Sequence, residues 1–162
     1  MVSRVMPIDH GFIGVIADTH GQLRPQAVAA LSGAALIVHA GDIGKPEILH
    51  DLEILAPVVA VRGNNDTGAW AQALPETLML HIGVGQIYVL HDVKTLDFDP
   101  AERALKAVIA GHSHRPKIET HDGVLWINPG SAGPRRFRLP VGVARLHVQA
   151  ATLRAELVRL DV

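Results

Sequence analysis

The chain has 162 residues, 48% of them apolar, with a formal net charge of −1 and no cysteine. This length and composition suit a single domain spanning 1–162 with a sizeable core and exclude a disordered chain. The charge balance and an aromatic content of 4% argue against a stable nucleic-acid partner, and the missing thiols remove disulfides, thiolate metal sites and cysteine nucleophiles.

The opening stretch, Met1 to His10, carries Arg4, Pro7 and Asp9 rather than the apolar core of a signal peptide. No apolar run approaches the ~18 residues of a membrane helix, so the expected setting is a reducing cytoplasm with no membrane partner. Phe12 to Ala17 reads as a short buried strand stopped by Asp18. Pro25 suits the first turn of a helix running to Leu31, with Gly33 at its end. Leu36 to His39 is a second strand. Pro46 opens a helix with Ile48, Leu49, Leu52 and Leu55 on one face, and Val58 to Val61 is a β-branched third strand. This β-α-β-α-β order predicts right-handed crossovers and a parallel sheet.

The second half is richer in strands. Thr77 to Ile82 and Gln86 to Leu90 flank Gly83-Val84-Gly85 as a hairpin. A helix is expected over Pro100 to Lys106, then a strand over Ala107 to Ala110. Lys117 to His121 and Val124 to Ile127 flank the tight-turn pair Asp122-Gly123, and Val141 to Val148 with Thr152 to Leu160 form a last pair. The expected fold class is α/β, with two packed mixed sheets flanked by helices as an α/β/β/α sandwich.

Four polar clusters each follow an apolar run: Asp18-Thr19-His20, Gly41-Asp42, Gly63-Asn64-Asn65-Asp66 and Gly111-His112-Ser113-His114. His91 follows Ile87 to Leu90 in the same way. Acids and histidines at the ends of buried strands converge on one sheet edge, where ligands bind in open α/β folds. Alternation along an extended chain would put Asp18 and His20 on one side. Each acidic cluster taken singly also reads as a helix cap or a polar turn. The His112/His114 pair is hard to explain by packing and points to a metal. His10, His50, His81, His121 and His147 lack such a setting and are read as surface or satisfied core residues. His39, inside a strand, stands as a candidate support behind the ligands. Arg135, Arg136 and Arg138 read equally as phosphate contacts and as a solvated basic edge.

The ordered motifs, together with Asn128-Pro129-Gly130-Ser131, resemble the calcineurin-like metallophosphoesterases, and in particular their small bacterial and archaeal phosphodiesterase branch. The resemblance implies that Asp18, His20, Asp42 and His114 bind one divalent cation. Asp42, Asn64, His91 and His112 would bind another, with Asp42 shared. Manganese is the first expectation for both ions, and Fe²⁺, Ni²⁺, Co²⁺ or Zn²⁺ also suit oxygen and nitrogen ligands. Cations roughly 3.5–4 Å apart can hold a bridging hydroxide for attack on phosphorus, so the expected activity is hydrolysis of a small phosphate ester, foremost a diester. A phosphomonoesterase is the alternative enzyme. A non-catalytic protein-binding scaffold, as in a retromer subunit, is the alternative class. Two positions depart from the family pattern. Asn65 stands where many relatives have a proton-donating His, and Asp92 stands where Gly is usual after the fifth ligand. Asn65 is therefore the candidate catalytic residue, able to donate a hydrogen bond but not a proton. Edge strands in the second half leave a homo-oligomer open.

Overall fold

Strand ends set the architecture. In the computed structural model, which describes Met1 to Val162, β2 (His10–Ile16), β3 (Leu36–His39) and β4 (Val58–Ala60) run parallel, with Ile16 beside His39 and His39 beside Ala60. Their carboxyl ends therefore finish level, and the chain leaves them at Asp18, Asp42 and Asn64. Helices α1 (Pro25–Leu31) and α2 (Pro46–Glu53) make the two crossovers. Two strands complete this sheet in antiparallel sense, β10 (Gly142–Gln149) on β2 and β11 (Thr152–Arg159) on β10.

The other sheet repeats the arrangement. β6 (Gly85–Leu90), β7 (Ala107–Ile109) and β9 (Val124–Asn128) are parallel, with Val89 beside Ile109 and Ile109 beside Ile127. His91, the Gly111–His114 turn and Asn128 thus leave it at one level. β5 (Thr77–Ile82) pairs antiparallel to β6, β8 (Lys117–His121) antiparallel to β9, and β1 (Ser3–Val5) parallel to β5, giving six strands in the order β1-β5-β6-β7-β9-β8.

The sheets meet through their alternating apolar faces. Ile13, Val15, Leu36, Val38 and Val61 of the first pack with Leu78, Leu80, Ile87, Val89 and Ile109 of the second. Burying such side chains stabilises by about 1.5–3 kcal/mol each, which rigidly fixes the two sets of strand ends. The outer face of the five-stranded sheet carries Ile16, Ile37 and Val143 and is covered by α1, α2 and the single turn α3 (Ala69–Gln72). The outer face of the six-stranded sheet is covered differently. Leu96, Phe98, Ala101 and Leu105 lie over Tyr88, Val108 and Val124, and this segment holds only a 3₁₀ turn over Val93–Thr95.

The helix expected over Pro100 to Lys106 is not formed; residues 100–104 are turns. Lys106 N–H bonds to the β6 carbonyl of Gln86 at 2.9 Å, which pulls the chain into extension, and Ala104 turns left-handed at φ 53° to allow it. Two local bonds, Ala104 N–H to Ala101 O at 3.0 Å and Leu105 N–H to Pro100 O at 3.1 Å, are all that remains of turn pairing there. Seven residues, strong helix formers though most of them are, make too short a helix to outweigh that tertiary pairing. No helix is long and apolar enough to cross a membrane.

Candidate metal centre

Five of the seven sequence-identified ligand positions have positive φ: Asp18 (55°), His20 (46°), Asp42 (56°), His112 (71°) and His114 (60°). The chain is therefore coiled at Asp18 and His20, not extended as the alternation argument assumed. Asp and His tolerate this region better than bulky residues, and such strain persists only where the surroundings fix it. Here they do. Asp18 N–H bonds to Gly41 O and His20 N–H to Asp42 O, both at 2.9 Å, so the loops after β2 and β3 are laced together. Gly111 N–H bonds to His91 O at 2.9 Å, and His112 N–H to Asp18 Oδ2 at 3.0 Å, which ties one sheet's loops to the other's. Gly63 is required by closeness, since a Cβ there would collide with the Asp42 carboxylate.

The folded loops bring six of the residues into two groups. Asp18, His20 and His114 form one and Asp42, His91 and His112 the other; within each, one candidate ligand atom per residue lies within 4.8 Å of the rest. The groups touch. Asp42 Oδ2 is 3.2 Å from His91 Nε2 and 3.7 Å from His20 Nε2, so this one oxygen faces an imidazole of each group. Asp18 Oδ1 lies 3.5 Å from His114 Nε2 and 3.9 Å from both His20 and His91. Asn64, in the loop after β4, is exposed.

The chemistry of this donor set fits divalent cations. Asp18 Oδ1 and His91 Nε2 are buried without a hydrogen-bond donor or acceptor. His91 Nδ1 donates to the Ala40 carbonyl at 2.7 Å, so its proton is on Nδ1 and the Nε2 lone pair faces the carboxylates. Its 3.2 Å approach to Asp42 is not aligned as a hydrogen bond. Lone pairs aimed at carboxylate oxygens in a buried space repel unless positive charge lies between them. Without that charge, burial pushes the Asp18 carboxyl up to about 7 despite the facing His91. Burial favours a neutral Asp42 too, but the His91 imidazole beside it and the Asn65 N–H prevail and hold it down at about 2. Burial, helped by Arg136, lowers His114 to about 4, leaving a neutral imidazole. His91 is pulled down by burial and more than restored by Asp42 and the Ala40 carbonyl, so it ends raised.

The residues behind the ligands were less visible in sequence. His39 is wholly buried, and Gly41 N–H donates to its Nδ1 at 3.1 Å. Thr19 gives its hydroxyl proton to Ile43 O (2.8 Å), so it accepts from His39 Nε2–H at 3.0 Å. This neutral tautomer, kept neutral because burial lowers its pKa to about 3, joins the Asp18 loop to the Asp42 loop. Asp66 accepts from three backbone N–H groups, Gly63 at 2.8 Å, Gly44 at 3.0 Å and Ile43 at 3.1 Å, and so clamps the Asp42 loop to the Asn64 loop. Asn65 donates its backbone N–H (2.9 Å) and its side-chain amide (3.1 Å) to Asp42. Asn128 holds the His112 loop through Gly111 O at 2.9 Å, and Arg24 grips Gly133 O through two N–H groups.

The capping readings do not hold: the N-caps of α1 and α2 are Arg24 and Lys45, and neither helix has a side-chain cap. Asp92 has an ordinary extended φ of −117°, caps Lys94 N–H at 3.0 Å and stands 3.7 Å from His112 Nε2, so left-handed geometry is not its purpose. Among the arginines of the loop after Ser131, Arg136 acts on Asp18 and His114 and lines the cavity beside them, whereas Arg135 bonds to the Val162 carbonyl. His10, His121 and His147 pair with Asp9, Glu119 and Glu156 and have no part in the centre.

Known proteins carry the same architecture. The calcineurin-like phosphoesterase superfamily domain matches residues 12–151. A probable metallophosphoesterase of Methanothermobacter thermautotrophicus is 36% identical over 158 residues, covering 91% of each chain. A structure described as a novel archaeal phosphodiesterase aligns with a TM-score of 0.70 at 22% identity, over 91% of this chain and 100% of that one. Zinc-complexed Vps29 from Entamoeba histolytica aligns at 0.72 and 21% identity, over 93% and 100%. At those identities the two structures speak for the fold alone. With the family domain covering most of its length and its two ligand groups at the strand ends, the chain belongs to the calcineurin-like phosphoesterase superfamily.

Proposed function

We propose that the protein is a phosphodiesterase dependent on two divalent cations, manganese foremost, and that it hydrolyses a small phosphate ester in the cytoplasm. The observation that carries this reading is Asp42 Oδ2, set between an imidazole of each group at 3.2 and 3.7 Å. Asp18, His20 and His114 would hold one ion and His91 and His112 the other, with Asp42 shared and Asn64 completing the second set. When bound, the ions supply Lewis-acid neutralisation of phosphate charge and an acidified water.

This chain's own residues supply orientation. Asn65 fixes the Asp42 carboxylate through two hydrogen bonds. Arg136 extends the positive field toward the bound phosphate. In the reaction water adds to phosphorus, the ester P–O bond breaks, and the leaving oxygen departs. Asn65 cannot give up a proton to it at neutral pH. That favours leaving groups that are stable as anions. A cavity of about 670 Å³ beside His112 leaves room for the two arms of a diester.

The test is turnover of bis(p-nitrophenyl) phosphate against p-nitrophenyl phosphate by manganese-loaded protein. The reading expects the diester to have the higher kcat/KM. A preference for the monoester would make the protein a phosphomonoesterase. Loss of both activities with metal bound would favour the scaffold reading that the resemblance to Vps29 carries.

A further inference from the structure

The cavity extends well past the metal centre, and its charges are unevenly satisfied. Its lining includes His112 and Arg136, with Lys94 from the turn after β6 and Arg115 from the chain after His114. It holds two carboxylates, and both are occupied. Glu119 takes Lys117 at 3.3 Å and His121 at 2.6 Å. Asp92 caps the Lys94 main chain and faces His112 rather than the Lys94 ammonium. Lys94, Arg115 and Arg136 are left without an acidic partner inside one concavity of a chain whose net charge is −1. Clefts lined by one sign of charge concentrate ligands of the opposite sign.

Arg136 is the cation whose charge reaches Asp18 and His114, so the scissile phosphate accounts for it. A diester phosphate carries a single negative charge, so it leaves Lys94 and Arg115 unaccounted for. The same lining includes Val93, Val108 and the half-buried Trp126, apolar surface suited to an uncharged ring. The volume of about 670 Å³ also far exceeds what one phosphate needs.

We propose that this cavity selects phosphodiesters whose non-leaving arm carries a second phosphate, read by Lys94 and Arg115 across an uncharged spacer. The inference rests on the phosphodiesterase reading and names its substrate class. Arginine binds phosphate through a planar fork and lysine as a point charge, so Arg115 carries the larger share.

The experiment compares thymidine 5′-(p-nitrophenyl phosphate) with its 3′-phosphorylated counterpart on manganese-loaded protein. Both release p-nitrophenolate, so the chemistry is matched and the ratio of kcat/KM isolates the second phosphate. A charge-assisted contact predicts a wild-type ratio of roughly 10–100 in favour of the 3′-phosphorylated ester. In Arg115→Ala and Lys94→Ala the ratio falls, and in the double variant it approaches one. Arg115→Lys keeps part of it, which a merely structural role would not produce. Calorimetry with thymidine 3′,5′-bisphosphate against thymidine 5′-monophosphate reads the same preference without turnover. If both esters are hydrolysed at equal kcat/KM, this inference fails and the phosphodiesterase reading stands. If neither is hydrolysed, that reading fails, and equal affinities of the two nucleotides overturn this inference as well.

Discussion

The two sheets reach the same point from opposite chemistry. The five-stranded sheet brings Asp18, His20 and Asp42 on loops held by Asp66, His39 and Thr19, and roofs its outer face with helices. The six-stranded sheet brings only imidazoles, His91, His112 and His114, and its outer face is covered by an irregular segment beside an open cavity. The difference assigns labour. Negative charge must be held buried and still, so it sits where backbone donors fix it. The open side can shape what enters without disturbing the carboxylates.

Breaking the acidic side should have the largest effect. Asp42→Asn removes the charge that lies within 3.7 Å of an imidazole of each group. We expect activity to fall roughly 10³-fold, the equivalent of several kcal/mol of lost stabilisation, measured as kcat/KM on bis(p-nitrophenyl) phosphate. A change below tenfold would detach Asp42 from the chemistry.

Next comes the clamp. Asp66→Ala strips the acceptor from three backbone N–H groups, each costing about 1–3 kcal/mol when left buried and unpaired. A fall in Tm of roughly 10 °C for the metal-free protein is expected from thermal melting. The corresponding Asn128→Ala on the imidazole side removes bonds to Gly111 O, Ser113 Oγ and Gly130 N–H, but Asn128 is only half-buried, so water replaces part of them and Tm should shift less. Equal shifts would erase the contrast between the two sides.

Much of this was legible in the sequence. The parallel strands announced themselves as continuous apolar runs, and Asp18, His20, Asp42, His91, His112 and His114 were readable because each follows one. β1 was not, because Ser3 to Val5 is exposed and is held by main-chain bonds such as Met79 N–H to Val2 O. Nor was the single turn of α3, which is too short for any period. Asp66 read as a turn residue, and nothing in Gly63-Asn64-Asn65-Asp66 says that its carboxylate reaches Ile43 and Gly44. Long-range contacts of that kind leave no local pattern. The helix expected at Pro100 failed for the same reason, a distant bond to Gln86.

A pH titration probes the acidic side more gently. In the metal-free fold Asp18 sits near 7 against an ordinary 3.8, so its protonated form is favoured. Its contribution to stability is complete below about 4 and is lost as pH rises through 7. Asp42 runs the other way: its contribution is present above 3.8 and is lost as pH falls through about 2. Because Asp18 must release its proton to ligate, manganese affinity should weaken by about tenfold per pH unit below 7. Titration calorimetry between pH 5 and 8 checks this; a flat profile would mean Asp18 does not ligate.

The smallest expected change lies in the leaving group. Without general-acid help, worth roughly 10²–10⁴-fold for poor leaving groups, wild-type rates should fall steeply as leaving-group pKa rises. Asn65→His should flatten that slope, speeding alkyl diesters several-fold more than aryl ones. An unchanged slope would leave Asn65 solely as the residue that orients Asp42.

The central claim is that the two strand-end groups each hold an ion, and metal content tests it most directly. Protein loaded with manganese and freed of excess is analysed for metal per chain, alongside folded His112→Ala and His114→Ala variants. The account predicts two ions per wild-type chain and a loss of about one in each variant, since the two histidines belong to different groups. Two ions retained in both variants, or none in the wild type, would contradict it.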